Sequence, residues 1–231
     1  MKHALVFAAG LGERMRPLTE HTPKPLLAVG GKPLIEWHLE KLATSGVHYV
    51  VINTSHLAEQ FPDTLGDGTR WGLRIRYAYE GSIPLETGGG MRNALSLLGD
   101  EPFIAVSADI WSDYDYAMLP TQPVGLAHLV MVPNPDWHAA GDFVLDETGL
   151  LHAEGAAPRL TFGNIGVYRR EFIQAQRPGR FKLLEQYQRA MTAGQLSGER
   201  YDGVWHNLGT PAQLAALDDD LRQRPAGAHL T

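Results

Sequence analysis

The chain of 231 residues has no cysteine. That excludes disulfides, thiolate nucleophiles and cysteine-ligated zinc together, so any metal must sit on oxygen or imidazole. No apolar run reaches the 18 residues that a membrane-spanning helix requires, and the short apolar run after Met1-Lys2-His3 is too brief for a signal peptide. A cytoplasmic chain without a membrane partner is expected. Positive charge is scarce as well: 20 Lys and Arg stand against 26 Asp and Glu, a net charge of −6. A nucleic-acid-binding face normally shows the opposite balance. Ten histidines are present, but none forms an H-E-x-x-H pair or another compact ligand spacing. There is no internal repeat, and the length fits a single domain over residues 1–231.

Apolar runs suited to buried strands recur at 3–9, 48–53, 102–107, 125–132 and 162–168. Segments with helical spacing separate them at 33–44, 56–65 and 88–98, and a last one follows at 211–223. That alternation predicts an α/β sheet. Pro33 is placed to open the first helix and Thr210-Pro211 to cap and open the last. Leu214, Leu217 and Leu221 are spaced to cover the sheet as ordinary core. The tail from Arg224 to Ala228 reads as frayed.

The most informative stretch follows the first strand, where Ala4-Leu5-Val6-Phe7 runs into Ala8-Ala9-Gly10-Leu11-Gly12. Small residues at a strand end allow backbone N–H groups to close on an anion. Two common phosphate motifs fail here. A dinucleotide fingerprint requires a third small residue where Met15 stands, and a Walker loop requires glycine where Leu26 precedes Gly31-Lys32 and Ser or Thr where Pro33 follows. Arg14, Arg16 and Lys24 come directly after the loop. A single surface arginine or lysine is ordinarily a solvated charge. At the end of a sheet strand, where ligands of open α/β folds bind, the same residues become candidates for gripping a triphosphate.

These residues carry a resemblance. The run Ala8-Ala9-Gly10-x-Gly12-x-Arg14-Met15-Arg16-Pro17-Leu18-Thr19, then Pro23-Lys24-Pro25-Leu26 and Gly31-Lys32-Pro33-Leu34-Ile35, is similar to the sugar-1-phosphate nucleotidylyltransferases. Later blocks extend the likeness over most of the chain: Leu85-Glu86-Thr87-Gly88-Gly89-Gly90, Ser107-Ala108-Asp109, Gly141-Asp142-Phe143 and Trp205-His206-Asn207-Leu208-Gly209-Thr210-Pro211. They most resemble the N-acetylmuramate-1-phosphate uridylyltransferases of cell-wall recycling. The resemblance implies a Rossmann-like, three-layer α/β fold of nucleotidyltransferase type A, with a mixed, mostly parallel sheet flanked by helices. Unlike several relatives, the chain shows no hexapeptide repeats of a C-terminal β-helix.

The implied reaction is attack by a sugar's phosphate oxygen on the α-phosphorus of a nucleoside triphosphate, with pyrophosphate leaving in line, a step that needs charge neutralisation above all. The resemblance assigns Arg14 to the triphosphate, Lys24 to the α-phosphoryl charge and Asp109 to Mg2+, with Asn207 as second metal ligand. Nucleotide contacts fall to Ala8, Ala9, Gly10, Gly12, Asn53, Glu86, Thr87 and Gly88, and sugar contacts to Gly141, Asp142, Glu154 and Asn164. The partners are then a nucleoside triphosphate and a sugar 1-phosphate, with the protein a monomer or small homo-oligomer.

Three departures from the family pattern stand out. Asn207 replaces a frequent aspartate and carries no charge for the metal, with Asp202 a nearby substitute. Ala108 stands where glycine is usual, its methyl group directed at the nucleotide ribose. Gly163-Asn164 stands where relatives tend to read Ser-Gly. Gly155 also follows Glu154 where some relatives place a phosphate-binding lysine, with Arg159 as a replacement. Asp113 is read as the cap of the Tyr114–Leu119 segment, and His206, beside Asn207, as a group able to titrate near the metal. Two alternatives stay open: a mannose-1-phosphate guanylyltransferase or other NDP-sugar pyrophosphorylase, and a nucleotide-sugar sensor that keeps the fold without turnover.

Overall fold

The computed structural model describes residues 1–223, and the tail expected to fray lies outside them. In chain order the strands are β1 (His3–Phe7), β2 (Ala28–Val29), β3 (Lys32–Pro33), β4 (Tyr49–Thr54), β5 (Arg74–Tyr79), β6 (Phe103–Ser107) and β7 (Ile110–Ser112). There follow β8 (Ala127–Val132), β9 (Phe143–Leu145), β10 (Leu151–His152), β11 (Arg159–Tyr168), β12 (Leu196–Arg200) and β13 (Trp205–Asn207). The helices are α1 (Leu34–Thr44), α2 (Gln60–Leu65), α3 (Glu86–Leu98), α4 (Leu184–Thr192) and α5 (Pro211–Gln223).

Nine strands form the main sheet, in the order β10-β9-β11-β6-β1-β4-β5, with β8 pairing both β11 and β12. β6, β1, β4 and β5 run parallel, and β11 runs antiparallel to β6, β8 and β9. The sheet is mixed, as expected. Its parallel strands are covered on both faces, which explains their continuous apolar runs. In β1, Ala4 and Val6 join one core layer and Leu5 the other; β6 splits likewise, with Ile104 and Val106 opposite Phe103 and Ala105. Residues Ile35, Leu39 and Leu42 of α1 and Phe61 and Leu65 of α2 cover the first face. Met91, Leu95 and Leu98 of α3 and Tyr187, Ala190 and Met191 of α4 cover the second. Leu214, Leu217 and Leu221 of α5 are core, but instead of covering the main sheet as expected they pack with Leu34 and Trp37 of α1 and Val29 of the β2–β3 ribbon in a separate cluster.

Several boundaries differ from the sequence reading. Pro33 ends the β2–β3 ribbon with an extended ψ of 137° and sits one residue ahead of α1. α2 starts at Gln60 because Leu57 takes a left-handed φ of 50°, which a helix cannot accommodate. β5 and α4 have no counterpart in that reading. β5 is an edge strand that carries Arg74 and Arg76 on its exposed face, and α4 shows only a narrow apolar stripe on a polar helix. At the last helix, Thr210 Oγ1 accepts from Gln213 N at 3.3 Å while the Gln213 side chain accepts from Gly209 N at 2.8 Å, a variant of the capping box.

Candidate active site

From β1 the chain moves outward through β4 and β5, then returns to β6 on the other side of β1. The reversal opens a crevice at the carboxyl ends of β1 and β6, the usual ligand position in such a sheet. There, Ala8 to Arg14 together with Lys24, Glu86, Asp109 and Gly209 line a cavity of about 650 Å³. Gly12 adopts a left-handed φ of 64°, and a Cβ on it would lie 2.8 Å from Thr19 Cγ2. Thr19 Oγ1 in turn donates to the Gly12 carbonyl at 2.8 Å. The loop is therefore fixed from below, whereas Gly10 has open space where a side chain would be. Of the three sequence cations, Arg14 and Lys24 line this cavity and Arg16 does not.

Lys24 sits on a one-turn 3-10 segment, Lys24–Leu26, and is buried to 8% exposure. Its ammonium donates to Asp109 Oδ2 at 2.8 Å. Asp109 follows β6, where the chain alternates: Ser107 and Asp109 reach the cavity and Ala108 turns the other way. Ala108 is fully buried in the core, and its N–H donates to Phe7 O at 2.9 Å. The expectation that its methyl group faces the ribose is therefore corrected: strand alternation sends it into the core beside Ile110. Arg14 lies against the backbone that follows β13, so closely that a Cβ on Gly209 would sit 3.1 Å from Arg14 Nη2. A further cation of this cavity, absent from the sequence reading, is Arg180, which pairs with Glu86 at 2.9 Å.

Asn53 lies in β4, next to its end, with both polar side-chain atoms committed. Its Oδ1 accepts from Ala8 N at 2.6 Å and its Nδ2 donates to Glu80 Oε1 at 2.6 Å. Glu80 Oε2 then accepts from Leu85 N at 2.8 Å, and burial pushes the Glu80 carboxyl above its ordinary value despite these bonds. Asn53 thus ties the glycine loop to the start of α3, and the Ala8 amide it holds is already satisfied. Gly88 is placed differently from its expected role. The amides of Gly88 and Gly89 donate to Phe181 O at 2.9 and 3.0 Å, and Gly88 is covered by the Phe181 ring. The glycines of α3 allow the 179–183 segment to dock on the helix start. Glu86 and Thr87 do line the cavity, Glu86 with a left-handed φ of 63°.

A second cavity of about 370 Å³ adjoins the first, and Phe7, Thr87 and Ser107 line both. Trp137, Phe143, Phe162, Tyr187 and Trp205 give it aromatic walls, with Trp137 and Trp205 stacked 6.4 Å apart. Asp142 and Asn164 line it too. Asp142 Oδ1 pairs with His138 Nε2 at 3.0 Å, and its Oδ2 accepts from Phe162 N at 2.8 Å. Asn164 has a left-handed φ of 57° within the bulge that shifts the β11–β8 register. Glycine and, less readily, asparagine take this conformation at least cost, which suits this residue to that position. Gly141, Glu154 and Arg159 are outside the lining. Gly141 is a left-handed turn packed against Asn134 and Arg159, while Glu154 is exposed on the loop after β10. The aromatic walls leave no sequence signal because their residues are scattered over five segments.

Asn207 lies on β13, opposite Ile110, and Leu208 N donates to Asp109 O at 2.9 Å. The two expected metal ligands are thereby neighbours along the backbone, although Asn207 lines the aromatic cavity and Asp109 the first one. Asn207 Oδ1 is buried with no hydrogen-bond partner, a donor of the type that Mg2+ takes. Among the described residues no three His, Cys, Asp or Glu side chains cluster. Asp202 points instead to Arg200 at 2.8 Å, an exposed pair. The capping role expected of Asp113 belongs to Asp115, whose Oδ1 accepts from Ala117 N at 2.9 Å; Asp113 holds Tyr201 and Val204 across the β13 approach. His206 stands beside the Trp111 ring, with centroids 6.0 Å apart.

Known proteins resemble this chain over most of its length. A Neisseria meningitidis serogroup B protein named N-acetylmuramate alpha-1-phosphate uridylyltransferase is 40% identical over 91% of this chain and 94% of its own. Its namesake from Caulobacter vibrioides is 35% identical over 93% of this chain and 95% of its own. Among solved structures, HddC from Yersinia pseudotuberculosis superposes with a TM-score of 0.78 at 20% identity, covering 95% of this chain and 99% of that one; the likeness is one of fold. The profile of the Nucleotidyl transferase family matches residues 3–131, the span that holds the glycine loop, Lys24 and Asp109. With that match and the two full-length relatives, the chain belongs to the nucleotidyl transferase family.

Proposed function

We propose that this protein transfers UMP from UTP to N-acetylmuramate 1-phosphate and releases pyrophosphate. The observation that carries the reading is the pair of adjoining cavities: one has a glycine loop and cations, the other aromatic walls, and they meet at Phe7, Thr87 and Ser107. A triphosphate in the first cavity brings its α-phosphorus toward the shared wall, and a sugar in the second brings its phosphate to the same wall. The two full-length relatives carry the name of this activity.

In this reading the free loop amides and Arg14 grip the triphosphate. Lys24 exchanges part of its contact with Asp109 for the α-phosphoryl oxygens and neutralises charge as the bond to pyrophosphate lengthens. The aromatic walls orient the sugar ring and exclude water, so that the sugar phosphate competes without hydrolysis. Asp109 and Asn207 are the residues that would hold Mg2+, which supplies charge neutralisation at the phosphates when bound. The alternative use of GTP and mannose 1-phosphate is less well supported, since the relatives carrying that name match only about half of this chain. The reading places the protein in the cytoplasm, in peptidoglycan recycling; no helix of the described residues is long and apolar enough to cross a membrane. Mass spectrometry of a reaction with UTP, Mg2+ and N-acetylmuramate 1-phosphate tests it. UDP-N-acetylmuramate is the expected product, and nucleotide binding with no product would favour the sensor.

A further inference from the structure

The second cavity has at its rim a lysine that the reaction at phosphorus does not use. Lys182 is exposed to solvent and lines the aromatic cavity but not the first one. Its neighbours on both sides are anchored to α3 and the residue before it: Phe181 N donates to Leu85 O at 3.1 Å, and Leu183 N donates to Thr87 Oγ1 at 3.2 Å. Lys182 itself has no hydrogen bond or ion pair among the described residues. The carboxylate that lines the same cavity, Asp142, is engaged by His138 and by Phe162 N. A strongly hydrated ammonium held on a fixed backbone, at an apolar cavity, with no anion of its own chain, is complementary to an anionic group on the ligand.

Which anion it meets follows from its position. The sugar phosphate must reach the shared wall where Ser107 and Thr87 stand, on the side of Lys24 and Asp109, whereas Lys182, exposed at the rim, borders the second cavity and not the first. N-acetylmuramate differs from N-acetylglucosamine by a lactyl ether, which carries a carboxylate. We infer that Lys182 is a specificity residue, its ammonium pairing with the lactyl carboxylate of the acceptor sugar. The inference rests on the muramate reading above and adds the residue that selects the acid.

The test compares the KM of N-acetylmuramate 1-phosphate with that of its uncharged lactyl methyl ester, in the full chain with saturating UTP and Mg2+. The unsubstituted enzyme is expected to show an ester-to-acid KM ratio of about ten or more, the fold-change of one charge-assisted hydrogen bond. Lys182→Met is expected to bring that ratio to about one, and Lys182→Arg to keep most of it. A ratio unchanged in Lys182→Met overturns the inference, and if both KM values rise together the ammonium serves the phosphate common to the two compounds. Failure of the unsubstituted enzyme to use N-acetylmuramate 1-phosphate at all, with turnover of another sugar 1-phosphate, overturns the muramate reading and this inference with it.

Discussion

Lys24 Nζ and Asp109 Oδ2 lie 2.8 Å apart, joining segments 85 residues apart in the chain. The pair brings the Lys24–Leu26 turn to the end of β6, and it places a cation and a carboxylate at the first cavity. Lys24→Ala removes one preorganised donor from the transferring phosphoryl group. The expected loss in kcat is about 10²–10³, with an unchanged far-ultraviolet circular dichroism spectrum. Near-wild-type kinetics would show that Lys24 only neutralises Asp109.

Gly209 sets the position of Arg14. Its φ is not in the left-handed region, so alanine is tolerated by the backbone, but the added Cβ would press on the Arg14 guanidinium. Gly209→Ala is expected to lower kcat/KM by roughly ten- to a hundredfold through displacement of that group, while Tm moves by only a few degrees. A large fall in Tm with proportionate loss of active protein would instead point to damage at the start of α5.

In the proposed reading Asn207 would offer Mg2+ a neutral oxygen. Asn207→Asp adds a charge at the same place and is expected to lower the Mg2+ concentration for half-maximal activity roughly tenfold. Titration of turnover with Mg2+ reads this directly, and an unchanged midpoint would remove Asn207 from the metal site.

His38 predicts a pH dependence of stability. It is buried, with Nε2 facing Ile110 O at 2.8 Å and Nδ1 facing Tyr116 Oη at 2.7 Å. A carbonyl only accepts, so Nε2 carries the hydrogen and Nδ1 accepts from the tyrosine. Burial lowers its pKa from 6.5 to about 4. Between those values the unfolded chain binds more protons than the folded one, so this group's contribution is fully present above pH 6.5 and is lost as pH falls toward 4. The loss is on the order of 3 kcal/mol. Urea unfolding of the wild type and of His38→Gln at about pH 7 and about pH 4.5, on either side of most of that window, isolates the effect. The variant is expected to lose less stability over that interval, and parallel losses would contradict it.

The parts of the site legible in the sequence are those that chemistry confines to short contiguous blocks. The loop after β1, Arg14, Lys24 and Asp109 are such cases, because a strand end, a glycine turn and a cation leave a local signature. Side-chain direction is less legible. Ala108 sits between two cavity residues and points away from both, and Asn53, which lines the first cavity, and Gly88, which does not, serve contacts within the protein. Those outcomes depend on the partners Glu80, Ala8 and Phe181, which are distant in sequence. The aromatic cavity and Lys182 require the fold itself, since β9, β11, α4 and β13 come together only after the sheet has formed.

The most direct measurement is pyrophosphate release with Mg2+, crossing UTP, GTP, dTTP and CTP against N-acetylmuramate, N-acetylglucosamine, glucose and mannose 1-phosphates. The account predicts its highest kcat/KM with UTP and N-acetylmuramate 1-phosphate. Preference for GTP and mannose 1-phosphate, or no release with any pair, would contradict it.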